Sequence, residues 1–137
     1  MAKKINVYLD MDGTLYDLYG RTDWLARLRA EDKTVFEGDY RMTDEETVLK
    51  MFPADTYMLA VLSMTPKGAT QDYCEKVIEA KNEWLDKYFP SITKRIYLKY
   101  GANKNLKNSK NAILIDDSEP IRNSWRGTAI NPTELWG

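Results

Sequence analysis

Five short segments of the chain are apolar almost throughout: Ile5–Leu9, Tyr57–Leu62, Ile96–Leu98, Ala112–Ile115 and Thr128–Ile130. Strands of this kind have no face to offer to water, so helices must cover them on both sides. The intervening sequence supplies those helices. Trp24, Leu25 and Leu28 stand at helical spacing behind a cap at Thr22 or Asp23, which predicts a helix over about 23–30. Thr43-Asp44-Glu45-Glu46 reads as a capping box, with Glu46 three residues after Thr43, and the helix it opens must end before Pro53. From Thr70 to Pro90, Tyr73, Val77, Trp84 and Tyr88 mark one face of the longest helix. Ser118-Glu119-Pro120 opens a short one that reaches Trp125. Strands alternating with helices in this order predict an α/β fold built on a five-stranded parallel sheet flanked by helices. Lys33–Arg41 reads as irregular. Gly101–Asn111, rich in Lys and Asn, reads as a surface loop, with Lys104, Lys107 and Lys110 solvated.

Composition removes several classes of function. At 137 residues the chain has room for one domain. Twenty basic against twenty-one acidic side chains leave a net charge of −1, so no global field draws it to nucleic acid or an anionic membrane. There is no histidine, and Cys74 is the one cysteine, which excludes Ser-His and Cys-His catalytic pairs, the usual zinc sites and an internal disulfide. Met1-Ala2-Lys3-Lys4 runs straight into the first strand, too short for a signal-peptide core or a membrane span, and a reducing, cytoplasmic setting is expected.

In parallel sheets of this kind ligands collect at the carboxyl ends of the strands. Here those ends carry Asp10 and Asp12, Ser63 and Thr65, and Asp116 and Asp117. Four carboxylates brought together repel unless a cation or protons intervene. A donor set of oxygen atoms alone suits Mg²⁺ and fits neither zinc nor copper. One such ion beside a phosphate ester needs a nucleophile in line with phosphorus, a proton donor for the leaving oxygen and positive charge for the remaining oxygens. Asp10 can attack, Asp12 can pass the proton and a lysine can supply the charge.

Asp10-Met11-Asp12-Gly13-Thr14 directly after an apolar strand resembles the first motif of the haloacid dehalogenase (HAD) superfamily of phosphatases. Ser63 resembles its second motif, Lys81 its third, and Asp116-Asp117 its acidic fourth. The likeness runs over residues 5–131. Within the superfamily, Lys81-Asn82-Glu83-Trp84-Leu85-Asp86-Lys87-Tyr88-Phe89-Pro90 and Leu114-Ile115-Asp116-Asp117 are similar to the 5'(3')-deoxyribonucleotidase branch. The resemblance implies a Rossmann-like HAD fold, with a core over 1–15 and 54–137 and a small helical cap over about 16–53. It implies that Asp10 forms an aspartyl-phosphate, that Asp12 protonates the leaving alcohol and then activates water, and that Ser63 with Lys81 holds the phosphate. Mg²⁺ would bind the Asp10 carboxylate, the Asp12 backbone carbonyl and one of Asp116 or Asp117, with Asp117 preferred and Asp116 orienting Lys81 or a water. Gly13 would free the turn. Met64 separates Ser63 from Thr65, where the branch has Thr-Ser adjacent, so either hydroxyl could hold phosphate, Ser63 first. Ser118 stands where the branch often has arginine.

Tyr16, Tyr19, Trp24, Phe36, Tyr40 and Phe52 lie in the insertion, and any of them could stack a nucleobase. The expected activity is a Mg²⁺-dependent phosphomonoesterase acting on a nucleoside monophosphate. The alternatives are another small phosphate ester, a polynucleotide end, or a receiver-like phosphoacceptor module that does not turn over. No membrane or bulk nucleic-acid partner is expected, and a homodimer stays open.

Overall fold

The computed structural model describes residues 3–137; Met1 and Ala2, part of the N-terminal stretch discussed above, lie outside the described residues. Strand β1 (Ile5–Leu9) leads through α1 (Trp24–Arg29), a 3-10 turn (Lys33–Phe36) and α2 (Glu45–Met51) to β2 (Tyr57–Met64). Helix α3 (Gln71–Tyr88), β3 (Arg95–Leu98), β4 (Ile113–Ile115), α4 (Glu119–Ser124) and β5 (Thr128–Ile130) follow, with 3-10 turns at Ser109–Asn111 and Pro132–Glu134. All four strand pairings are parallel and the sheet order is β3-β2-β1-β4-β5, the arrangement of a Rossmann-like α/β fold. The chain winds outward from β1 to β3, then crosses back to lay β4 on the other side of β1. The crevice where that order reverses lies between the carboxyl ends of β1 and β4, the usual place for a ligand in such sheets.

Alternate residues of β1 enter different layers. Val7 and Leu9, with Val61 and Ile115 beside them, pack under α3 and the 16–53 segment. Tyr8 faces the opposite layer with Leu62, Leu114 and Trp125, and Leu106 and Ile121 pack against it. The 101–111 segment therefore helps to cover the second face of the sheet, contrary to its reading as a solvated loop. Lys104 and Ser109 within it are buried, and the Tyr8 hydroxyl donates to Asn108 Oδ1 at 2.9 Å. Lys107 and Lys110 are exposed as expected.

The 16–53 segment is three short helical pieces that share the main core. Tyr16, Leu18, Val35, Phe36, Val48 and Phe52 belong to the same apolar cluster as Val7 and Leu9. Burying Val35 and Phe36 in full stabilises the segment's attachment by about 1.5–3 kcal/mol each. Trp84 Nε1 donates to the Gly38 carbonyl at 2.8 Å, and the Tyr73 hydroxyl to that of Asp32 at 2.8 Å, so α3 holds the segment by polar contacts as well. Helix α1 has no fully buried residue and joins the core through the partly buried Trp24 and Leu28.

Two caps differ from expectation. Helix α2 is capped by Asp44, whose carboxylate accepts from Thr47 N at 2.8 Å, one residue later than a Thr43 box would place it. Glu46, the acid of the expected box, pairs with Lys50 at 3.0 Å, and Glu45 accepts from the Ser91 N–H and hydroxyl. Asp23 precedes α1 in a left-handed conformation, φ 54°, with no side-chain capping bond. Among the described residues no helix is long and apolar enough to cross a membrane.

Candidate active site

Two adjacent strand ends build the acidic centre. At the end of β1, Asp10 N donates to the Ile115 carbonyl at 2.9 Å, and at the end of β4, Asp116 N donates to that of Ile130 at 3.2 Å. These bonds carry the sheet register one residue past each strand and fix where the acids stand. Carboxylate oxygens of Asp10, Asp116 and Asp117 all lie within 4.8 Å of one another. After Asp10 the chain turns sharply: the Met11 carbonyl accepts from Thr14, Leu15 and Tyr16 N–H groups, and Gly13 holds φ +83°. A Cβ at Gly13 would stand 2.2 Å from Asp117 Oδ2, so only glycine there leaves room for that carboxylate. The Thr14 hydroxyl donates to Asp10 Oδ2 at 3.3 Å.

A buried lysine opposes each part of this charge. Lys104, 3% exposed, places Nζ 2.9 Å from Asp10 Oδ1, 2.7 Å from Asp116 Oδ2 and 3.1 Å from the Leu62 carbonyl. Lys81, fully buried on α3, donates to Asp12 Oδ2 at 2.8 Å, Ser63 Oγ at 2.9 Å and the Met64 carbonyl at 2.9 Å. Asp116 thus pairs with Lys104, and the expectation that it orients Lys81 is corrected. The Asp12 carboxylate is bound by Lys81 and is not one of the three that converge, so contact with a metal there would fall to its backbone. Its second oxygen, Oδ1, is buried without a hydrogen-bond partner.

Protonation follows from this crowding. Burial, with the Asp10 and Asp116 charges adding to it, pushes Asp117 up to about 8. Burial and Asp10 also raise Asp116, against the pull of Lys104. For Lys104 burial opposes the charge, but the two carboxylates outweigh it and hold the ammonium above its ordinary range. A carboxylate that keeps its proton near neutrality beside two others is a position that a cation would relieve. The donor set is entirely oxygen, which suits a hard divalent ion.

The centre forms the floor of a cavity of about 400 Å³. Asp10, Asp12, Asp116, Asp117 and Lys104 line it, as does Thr65. Ser63 and Lys81 do not. Ser63 lies within β2, fully buried beneath Lys81, because the strand continues to Met64 instead of ending at Leu62. Of the insertion aromatics, Tyr19, Trp24 and Phe36 form the cavity wall, Tyr19 and Trp24 meeting edge to face at 4.9 Å. Tyr16 and Phe52 are core, and the Tyr40 ring packs under Arg21.

The chain matches no protein-family model and no curated protein sequence. Lys104 is the residue that sequence reasoning missed. Its segment has no apolar periodicity to mark it as packed, and the single hint was Leu106 nearby, an apolar anchor between asparagines and lysines. The charge count of the site was the other signal, since four converging carboxylates call for more than one cation.

Proposed function

We propose that this chain is a Mg²⁺-dependent phosphomonoesterase of the HAD type, acting through an aspartyl-phosphate on a nucleoside monophosphate. The observation that carries the reading is the convergence of Asp10, Asp116 and Asp117 from two neighbouring strand ends, with Lys104 between them and the open oxygen of Asp12 beside them. Mg²⁺ would be held by Asp10, Asp117 and the Asp12 carbonyl, and when bound it supplies positive charge to a phosphate oxygen and draws the Asp117 proton off.

The protein's own groups account for the rest. The Asp10 carboxylate, oriented by Thr14 and Lys104, attacks phosphorus, and the ester P–O bond breaks. The leaving oxygen takes a proton from Asp12, whose carboxyl group is held on one side by Lys81 and is free on the other. Asp12 then removes a proton from water, water attacks phosphorus, and phosphate leaves with Asp10 restored. Lys104 offsets the charge that builds on the equatorial oxygens. Thr65 contacts the phosphate from the cavity wall, and Ser63 serves by seating Lys81. Tyr19 and Trp24 offer the base a ring surface. The test is hydrolysis of p-nitrophenyl phosphate and a panel of phosphate esters. Turnover that needs Mg²⁺ and is lost in Asp10→Asn supports the reading, and turnover indifferent to a chelator refutes it.

A further inference from the structure

The turn that carries Asp10 is held from outside by a residue far along the chain. Trp136 Nε1 donates to the Thr14 carbonyl at 3.1 Å, and among the described residues that carbonyl accepts no other hydrogen bond. Thr14 is fully buried, and its hydroxyl is the donor to Asp10 Oδ2 at 3.3 Å. Lys104 takes the other oxygen, Oδ1. The indole thus stands two hydrogen bonds from the carboxylate, and neither Trp136 nor Thr14 lines the cavity above the acidic centre.

The sequence after β5 is built to bring the indole there. Asn131 accepts from Thr133 N at 3.1 Å and Pro132 follows it, which starts the last 3-10 turn. The Pro132 carbonyl then accepts from Leu135 N at 3.0 Å and from Trp136 N at 2.9 Å. Pro132 is buried, and Leu135 and Trp136 pack on the main apolar core. The stretch leaves from Ile130, whose carbonyl accepts from Asp116 N, so one short segment touches both strand ends that supply the acids. The other bonds that reach the turn from outside fasten its exit to the insertion: Asp17 N donates to the Tyr40 carbonyl at 2.9 Å, and Met42 N to that of Leu15 at 2.8 Å. Trp136 alone holds the peptide of Thr14. A β-branched side chain has few rotamers, so the direction of the Thr14 hydroxyl follows its backbone. At 3.3 Å its bond to Asp10 is long, and a backbone shift of about half an ångström would break it. Building on the phosphatase reading above, we infer that Trp136 is a positioning residue for the nucleophile. Its N–H fixes the Thr14 backbone and, through the Thr14 hydroxyl, the direction of the Asp10 carboxylate.

Trp136→Phe keeps a ring against the core and removes the N–H. With p-nitrophenyl phosphate and Mg²⁺, kcat should fall about three- to tenfold while KM stays within about twofold, because a misdirected nucleophile slows the chemical step and no substrate contact is lost. Thr14→Val should lower kcat by a similar factor, and adding Trp136→Phe to it should lower kcat no further, as expected of groups that act in series. A native kcat in Trp136→Phe overturns the inference, and so do single effects that multiply in the double variant, the result for a ring that only fills space. Amide hydrogen exchange followed by NMR decides the anchoring without turnover, and without Thr14→Val should that variant not fold. The amides of Thr14, Leu15 and Tyr16, all bonded to the Met11 carbonyl, should exchange about tenfold faster in Trp136→Phe, with those of Val77 to Leu85 in α3 unchanged. Unchanged exchange in the turn, or acceleration throughout the chain, refutes the assignment. A native protein that leaves p-nitrophenyl phosphate intact sinks the phosphatase reading instead, and the exchange comparison then still decides whether Trp136 secures the turn.

Discussion

Replacing Lys104 by methionine removes one positive charge at nearly constant volume, and the structure sets the size of the effect. The ammonium stands 2.9 Å from Asp10 Oδ1 and 2.7 Å from Asp116 Oδ2, and those residues are only 8% and 1% exposed. At an effective dielectric of about 20, each contact is worth about 6 kcal/mol of gross Coulomb attraction. Several kcal/mol of lysine desolvation oppose that sum. Removing the lysine leaves two buried carboxylates facing each other and the Leu62 carbonyl without its donor, a situation that costs about 3–5 kcal/mol. Much of a small domain's stability, about 5–15 kcal/mol, is at stake. The sign of the pH dependence follows. Without Lys104, Asp116, already raised by burial and the Asp10 charge, holds its proton in the folded state at a pH where the unfolded chain has released it, so the variant's deficit grows as pH rises from about 4. Urea unfolding followed by tryptophan fluorescence should show the larger loss at pH 8 and a smaller one at pH 5, with Mg²⁺ restoring part of it. Lys107→Met, at an exposed position, should change stability by less than about 0.5 kcal/mol. A Lys104→Met protein as stable as the native one at pH 8 would refute the placement of that lysine between the two acids.

Further outcomes follow from the same geometry. Gly13→Ala puts a Cβ 2.2 Å from Asp117 Oδ2 at φ +83°, so divalent-ion affinity and hydrolysis should both collapse and stability should fall by about 1–3 kcal/mol, read by calorimetry and thermal unfolding. Asp117, pushed up to about 8, keeps a proton when folded that it loses above about 4 when unfolded. The metal-free protein should therefore lose stability as pH rises from about 4 to 8, by about 1–3 kcal/mol after allowance for the solvent that reaches this group, and Asp117→Asn should flatten the slope. Thr65→Val should raise KM for phosphate esters because Thr65 lines the cavity, whereas Ser63→Ala, removing a buried acceptor of Lys81, should show first as lost stability, about 1–3 kcal/mol in urea.

The strands were legible because burial on both faces writes an apolar run that little else in a short chain imitates, and four of the five are found within one residue of their expected ends. β2 is the instructive departure at its carboxyl end. Ser63 looks like the first polar residue of a loop, yet the strand keeps it, because a lysine arriving from α3 satisfies its hydroxyl inside the protein. The positions of Asp10, Asp116 and Asp117 followed from strand ends and topology, which are properties of chain order. The partners of these acids did not follow, since Lys104 reaches Asp10 from 94 residues away through a segment with no periodic signal. The insertion shows the same limit: sequence offered six aromatics as equals, and only tertiary packing sends Tyr16 and Phe52 to the core and Tyr19, Trp24 and Phe36 to the cavity.

Whether Asp10 itself accepts a phosphoryl group can be read directly by borohydride trapping during turnover of p-nitrophenyl phosphate, followed by peptide mass spectrometry. An acyl phosphate on this side chain is reduced to the alcohol, so homoserine should appear at position 10 in the presence of Mg²⁺ and vanish when the ion is chelated. Hydrolysis that proceeds with position 10 unmodified, or with the mark on another residue, would contradict the account.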